Sequence, residues 1–207
     1  MENLNYVIHL FHSGGYVMYP LLLLSFMVIA IAVERAFFYH KYSGKTFVVT
    51  HAVNELAKLQ KWDEIDKVIK ENPSIASRIA EAGLHNASSE EAMKTAFADQ
   101  MGVDAVGFRK YMDYLSATVT ISPLLGLLGT VTGMIGAFQV FGADGAVPTA
   151  ITGGVGEALV ATASGLCVAI VALCFHAAFT HHVRMTISRL EDSFSRVLDS
   201  YDRGHAA

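Results

Sequence analysis

Between Leu115 and Thr180 the chain carries only two formal charges, Asp144 and Glu157. Two apolar blocks lie in this stretch, Leu115–Phe141 and Ala150–Phe179, and a third, Tyr16–Val33, precedes them. Each reaches the roughly 17–25 residues that a helix needs to cross a bilayer core. One such block could be the buried helix of a soluble protein. Three, joined by polar connections, mark a membrane protein, and 53% hydrophobic against 16% charged residues agree with that.

The basic residues orient the spans. All 15 Lys and Arg lie in two stretches, Arg35–Lys110 and Arg184–Arg203, with none before position 35 and none between the second and third blocks. The positive-inside rule puts such stretches in the cytoplasm. The expected fold class is therefore an all-α membrane protein with three transmembrane helices, N-out and C-in, with long cytoplasmic helical extensions. Its expected parts are an extracytoplasmic interfacial helix (1–15), spans at 16–39, 115–141 and 150–183, a cytoplasmic helical region (40–114), an outer loop (142–149) and a cytoplasmic amphipathic tail (184–207). The first residues lack the positive region of a secretory signal, so no cleavage is expected. Leu4, Val7, Ile8 and Phe11 share one helical stripe, as a helix lying in the membrane interface would have.

The cytoplasmic region reads as helix. Apolar positions recur at helical spacing over residues 46–71, and Asn72-Pro73 should end that stretch. A short helix is expected over Ile75–Leu84, then a capping box of Ser88 with Glu91. No strong breaker follows before Gly102 and Gly107, and no proline before Pro123, so the second span should run well below the membrane as one long helix. The third should run on through Arg184, Arg189 and Arg196. Its apolar stripe of Ile187, Leu190, Phe194, Val197 and Leu198 calls for a partner, with neighbouring copies of the chain the nearest candidates. No nucleic-acid partner is expected.

Glu157 is the sharpest functional signal. A carboxylate in hydrocarbon costs at least a few kcal/mol, so such residues face a protein interior or a wet cavity and mark an ion path. In the second span Gly126, Gly129 and Gly133 recur at spacings of three and four, and Gly129 to Gly133 is a GxxxG unit that permits close helix approach. At 100° per residue Pro123, Gly126, Thr130, Gly133, Met134 and Ala137 form one stripe, opposite Leu124, Leu128, Val131 and Ile135. In the third span Gly153, Glu157, Ala161 and Ser164 share a stripe, with Thr162 about 140° from Glu157. If both line one path, either the helix is distorted or it presents two faces. Each polar group also has a plainer role open to it, as a hydrogen bond between helices.

Other chemistry is poorly supported. Cys167 and Cys174 lie seven residues apart on one helix, about 10 Å by helical rise, too far for a disulfide. His176, His181 and His182 raise a haem-binding redox subunit as an alternative, but the second span has no histidine at similar depth. A passive scaffold is the other alternative. Neither a phosphate-binding loop, nor a nucleophile elbow, nor a zinc spacing is present, so no enzyme is expected.

The run Ile121-Ser122-Pro123-Leu124-Leu125-Gly126-Leu127-Leu128-Gly129-Thr130-Val131-Thr132-Gly133-Met134 is followed by Glu157-Ala158-Leu159-Val160-Ala161-Thr162-Ala163-Ser164-Gly165-Leu166. Together they resemble the MotA/TolQ/ExbB proton-channel family. The pair Glu34-Arg35 also fits, and three spans favour the ExbB/TolQ branch. The resemblance implies a pentamer around the single spans of an ExbD/TolR-like partner, in the bacterial inner membrane. It implies force passed to a TonB/TolA-like transducer and proton-path roles for Thr130, Glu157 and Thr162. It implies no cofactor beyond the coupling ion, with protons expected and Na+ open. One departure is Val171, where many members have proline.

Overall fold

The computed structural model describes residues 14–85, 89–141 and 148–205. The expected interfacial stripe at Leu4–Phe11, Ser88 and most of the 142–149 connection lie outside them. Six helices occur among the described residues: α1 (Met18–Lys58), α2 (Trp62–Glu71), α3 (Ile75–His85), α4 (Glu90–Arg109), α5 (Met112–Phe141) and α6 (Pro148–His205). The described residues form no strand. Three helices, α1, α5 and α6, are long and apolar enough to cross a membrane.

Two helix boundaries differ from the sequence expectation. The stretch 46–71 is not one helix, because α1 ends at Lys58. The Gln60 N–H donates to the Ala57 carbonyl (3.1 Å) and the Lys61 N–H to the Leu56 carbonyl (3.0 Å), with Gln60 at φ +58°. This is a Schellman stop with glutamine at the left-handed position, where glycine is usual. The second span likewise does not continue downward as one helix. Tyr111, at φ +68°, separates α4 from α5. At the start of α4 the cap is Ser89, whose hydroxyl accepts the Ala92 N–H. The expected long third helix is present as the unbroken α6.

The chain divides into two compact units, Met1–Val33 with Tyr111–Ala178 and Glu34–Lys110 with Phe179–Ala207. In the first, α5 and α6 run antiparallel, and the buried side chains are mostly small: Thr118, Ser122, Ala137, Ala158, Ala161, Ala169 and Ala172. Val17, just before α1, and Met18 and Leu21 at its start add to this core, with Leu125 packed against them. The large side chains Phe26, Leu124, Phe138, Leu159 and Ile170 point outward. That inversion suits a helix pair whose solvent is lipid, where packing rather than water exclusion drives association.

The second unit is built the other way. Ile65, Ile79, Met93, Phe97 and Phe194 are buried, and Phe97 packs on Phe194 with ring centroids 4.8 Å apart. The apolar stripe of the α6 tail is thus covered within its own chain. Leu190, Phe194 and Val197 are buried, while Asn54 donates to the Ser193 hydroxyl (2.7 Å) and Gln60 to the Ser200 carbonyl (2.5 Å). The expectation that this stripe needs other copies of the chain is corrected by these contacts.

Arg35 is buried to 2% exposure between Glu34 and the Phe38 ring, whose centroid lies 4.5 Å from the guanidinium carbon. It donates to the Gly107 carbonyl (3.2 Å), and the Tyr39 hydroxyl donates to the Phe108 carbonyl (2.8 Å). Both carbonyls belong to the last turn of α4, where the usual partners four residues on are missing; the Gly107 carbonyl also accepts the Lys110 N–H (3.4 Å). The Glu34-Arg35 pair therefore has a visible structural task. His182 packs against the Tyr39 ring at 5.0 Å.

Candidate functional site

The α5–α6 seam sets the positions of all the candidate side chains in the spans. A side-chain carbon added at Gly126 would meet the Thr162 Cα at 3.0 Å and the Ala161 carbonyl at 3.1 Å. One at Gly133 would meet the Gly154 carbonyl at 3.1 Å, and one at Gly165 would meet the Ser122 carbonyl at 2.5 Å. Gly129 lies against Ala161 and Val17. Gly126, Gly129 and Gly133 are thus the α5 half of a close approach. Its α6 half is Gly154, Ala158, Ala161 and Gly165. Their small-residue spacing of four, three and four mirrors that of α5, and sequence reading passed over it.

The expected stripes are split by this seam. Met134 does not join the seam glycines, and the side chain at Thr130 is only half-buried. Thr130, Val131, Met134, Ile135 and Phe138 instead border one open face of α5. On α6 the seam runs through Ala158 rather than Glu157, one position round the helix. The 100° arithmetic placed Thr130 and Glu157 on the small-residue faces because both stand next to seam residues in sequence.

Thr162 lies in the seam, where its hydroxyl donates to the Gly126 carbonyl at 2.9 Å. Hydrogen bonds of this kind in membranes average only about 0.6 kcal/mol. Thr130 donates to the Leu127 carbonyl of its own helix at 2.6 Å. That leaves the oxygen able to accept from outside, since a hydroxyl offers one donor and two acceptor sites. Glu157 is half-buried, and its carboxylate lies against the backbone of Gly15. Gly15 has φ +67°, so glycine is required there by conformation as well as by space.

Along the pair, Thr130 sits one turn, ~6 Å, from Gly126, and Glu157 sits ~8 Å from Thr162. Because α5 and α6 are antiparallel, both displacements point the same way. The three polar groups therefore fall within about one and a half turns but on separate faces. Thr162 ties the seam, Thr130 looks out from α5, and Glu157 lies on the Gly15 side.

One further residue went unmarked at the sequence level. Ser122 is fully buried in the seam, and its hydroxyl has no hydrogen-bond partner among the described residues. It stands next to Pro123, which has no N–H to give the carbonyl four residues back. Cys167 and Cys174 are free thiols on exposed positions. Among the described residues, no group of three or more His, Cys, Asp or Glu is placed to hold a metal ion.

The model of the MotA/TolQ/ExbB proton channel family matches residues 71–192, which include Thr130, Glu157 and Thr162. The protein named ExbB-like 1 of Synechocystis sp. is 33% identical over 180 residues, covering 79% of this chain and 66% of that one. The chain thus spans just under two thirds of that relative. ExbB-like 3 of the same organism is 27% identical over 200 residues, 93% of this chain and 94% of its own. The biopolymer transport protein ExbB of Xanthomonas campestris is 40% identical over 91 residues, 44% of this chain and 36% of that one. A glycine seam between two spans, one threonine within it, a second threonine and a carboxylate at its margins and a family match across all of them lead to one assignment: the chain belongs to the MotA/TolQ/ExbB proton channel family, in its ExbB/TolQ branch.

Proposed function

We propose that the chain is the proton-channel subunit of a bacterial inner-membrane complex that uses the proton motive force to drive TonB- or Tol-type envelope processes such as outer-membrane import. In this reading it is oriented N-out and C-in. It assembles as a homopentamer around the single spans of an ExbD/TolR-like protein and passes force to a TonB/TolA-like transducer. The coupling ion is the proton and no other cofactor takes part.

The observation that carries the reading is where Thr130 and Glu157 stand. Both are half-buried at the margins of the seam, so the assembled complex can bring water or a partner's carboxylate to them. Moving one charge through 100 mV releases about 2.3 kcal/mol. Harvesting it takes a group that changes charge and groups that pass protons along. Glu157 is the carboxylate that α6 offers in this stretch, and a threonine hydroxyl both donates and accepts. Thr162 has a different task in this reading, since its proton is committed to Gly126.

The test is proton uptake by liposomes holding the complex with its single-span partner, read by a pH-sensitive dye. Thr130→Val and Glu157→Gln should each lower flux by at least about tenfold, ~1.4 kcal/mol of barrier, with assembly unchanged. Thr130→Ser should retain flux, because the hydroxyl survives. Normal flux in both Thr130→Val and Glu157→Gln would overturn the path and leave this chain an apolar sleeve around the partner.

A further inference from the structure

At the end of the second unit farthest along α1 from Arg35, four helices line a half-open cavity of about 180 Å³. Its walls include the Trp62 and Tyr201 rings, its lining includes the fully buried Met93, and Asp63, Asp66 and His85 also border it. The two rings meet edge to face, with centroids 5.7 Å apart and planes at 72°. The Trp62 ring is held in place rather than left to swing. Its indole N–H donates to the Gln60 side chain (3.1 Å), and Gln60 donates on to the Ser200 carbonyl.

The proton path has no use for this arrangement. Asp63 helps the α2 dipole from the first turn, as does Glu64. Asp66 is beyond that turn, and Glu64, not either aspartate, takes Lys61 as its ion partner. Aromatic faces attract cations through the ring quadrupole, more strongly where water is displaced. Carboxylates at the rim add the same sign of attraction, and an apolar lining accommodates an alkyl stem. A neutral ligand could donate hydrogen bonds to the carboxylates but would forgo the charge attraction of both carboxylates and rings, and an anion would be repelled.

We infer that this cavity is a binding site for an organic cation, a guanidinium or alkylammonium head on an apolar stem. The cation comes either from an arginine or lysine side chain of a cytoplasmic polypeptide or from a free polyamine. The site is separate from the proton path and stands or falls without it. Loading it ties α2 to α3, the start of α4 and the end of α6, all of which line it.

The chain has a single tryptophan, so Trp62 fluorescence of the detergent-purified full chain reports on the cavity directly. Titration with acetyl-arginine amide should give a saturable change in Trp62 emission. Acetyl-citrulline amide, the neutral isostere, should give none. The variant D63N/D66N should weaken the arginine response by at least about tenfold while circular dichroism stays that of the parent. Tyr201→Leu, which keeps an apolar wall, should weaken it less. Spermidine binding more tightly than an arginine-containing peptide would identify the free polyamine as the source, and the reverse order the polypeptide. Equal responses to the arginine and citrulline probes, no saturable response to either cation, or full binding by D63N/D66N would overturn the site.

Discussion

The two units solve the same packing problem with opposite materials. The first puts glycine and alanine between α5 and α6 and turns its phenylalanines and leucines outward. The second buries Phe97, Phe194, Ile65 and Ile79 and leaves charge on its surface. The physical reason is the solvent. Water rewards the removal of apolar area at about 25 cal/mol per Å², so a large buried side chain is worth having. Lipid gives no such reward, so helices associate by close backbone approach, which only small residues allow. One helix, α6, obeys both rules in turn, with Gly154 to Gly165 at one end and Leu190 to Val197 at the other.

The most severe way to break this contrast is to empty the aqueous-type core. Phe194→Ala should cost about 3–5 kcal/mol and lower the thermal midpoint of the second unit, followed by circular dichroism. The same truncation at the outward Phe138 should cost the isolated chain almost nothing. A large loss at Phe138 instead would show that the outward side chains of α5 are packed against another copy.

The next test overfills the seam. Gly165→Ala places a carbon 2.5 Å from the Ser122 carbonyl, an atom that moves only if α5 moves. It should cost about 1–3 kcal/mol, read as lost resistance to denaturing detergent. An equal substitution in the second unit should do the reverse. Nothing lies within 4 Å of a side-chain carbon added at Gly102, inside α4. Gly102→Ala should therefore stabilise by up to about 1 kcal/mol through helix propensity alone. If Gly165→Ala proved as harmless as Gly102→Ala, the close approach of α5 and α6 would be wrong.

Much of this was legible in the sequence, and the gaps have physical causes. Three apolar blocks, the long run of α6 and the α5 glycines stand out, since each is a pattern of residue type at fixed spacing. The stops at Gln60 and Tyr111 were hidden, because both adopt the left-handed conformation without glycine to announce it. The cap at Ser89 was read one residue early, at Ser88, because two adjacent serines precede the same glutamates. The covering of the α6 tail was illegible for another reason. Phe97 and Phe194 meet across 97 positions of chain, and periodicity reports a face without saying what lies against it. Thr130 and Glu157 were found as polar residues in apolar runs, but which side of the seam each takes depends on the register of α5 against α6.

The seam has a genetic consequence. Glycines that look alike in the sequence differ in what they forbid. Gly126, Gly133, Gly154 and Gly165 each have a neighbour's backbone where a methyl group would go, whereas Gly102, Gly107 and Gly136 face open space among the described residues. Random mutagenesis of this gene with selection for function would sort the first four among the least tolerant positions. Gly102 and Gly107 would pass alanine and serine freely. Any intolerance that emerged at Gly136 could not come from crowding among the described residues, and would point to a surface that the assembled complex covers.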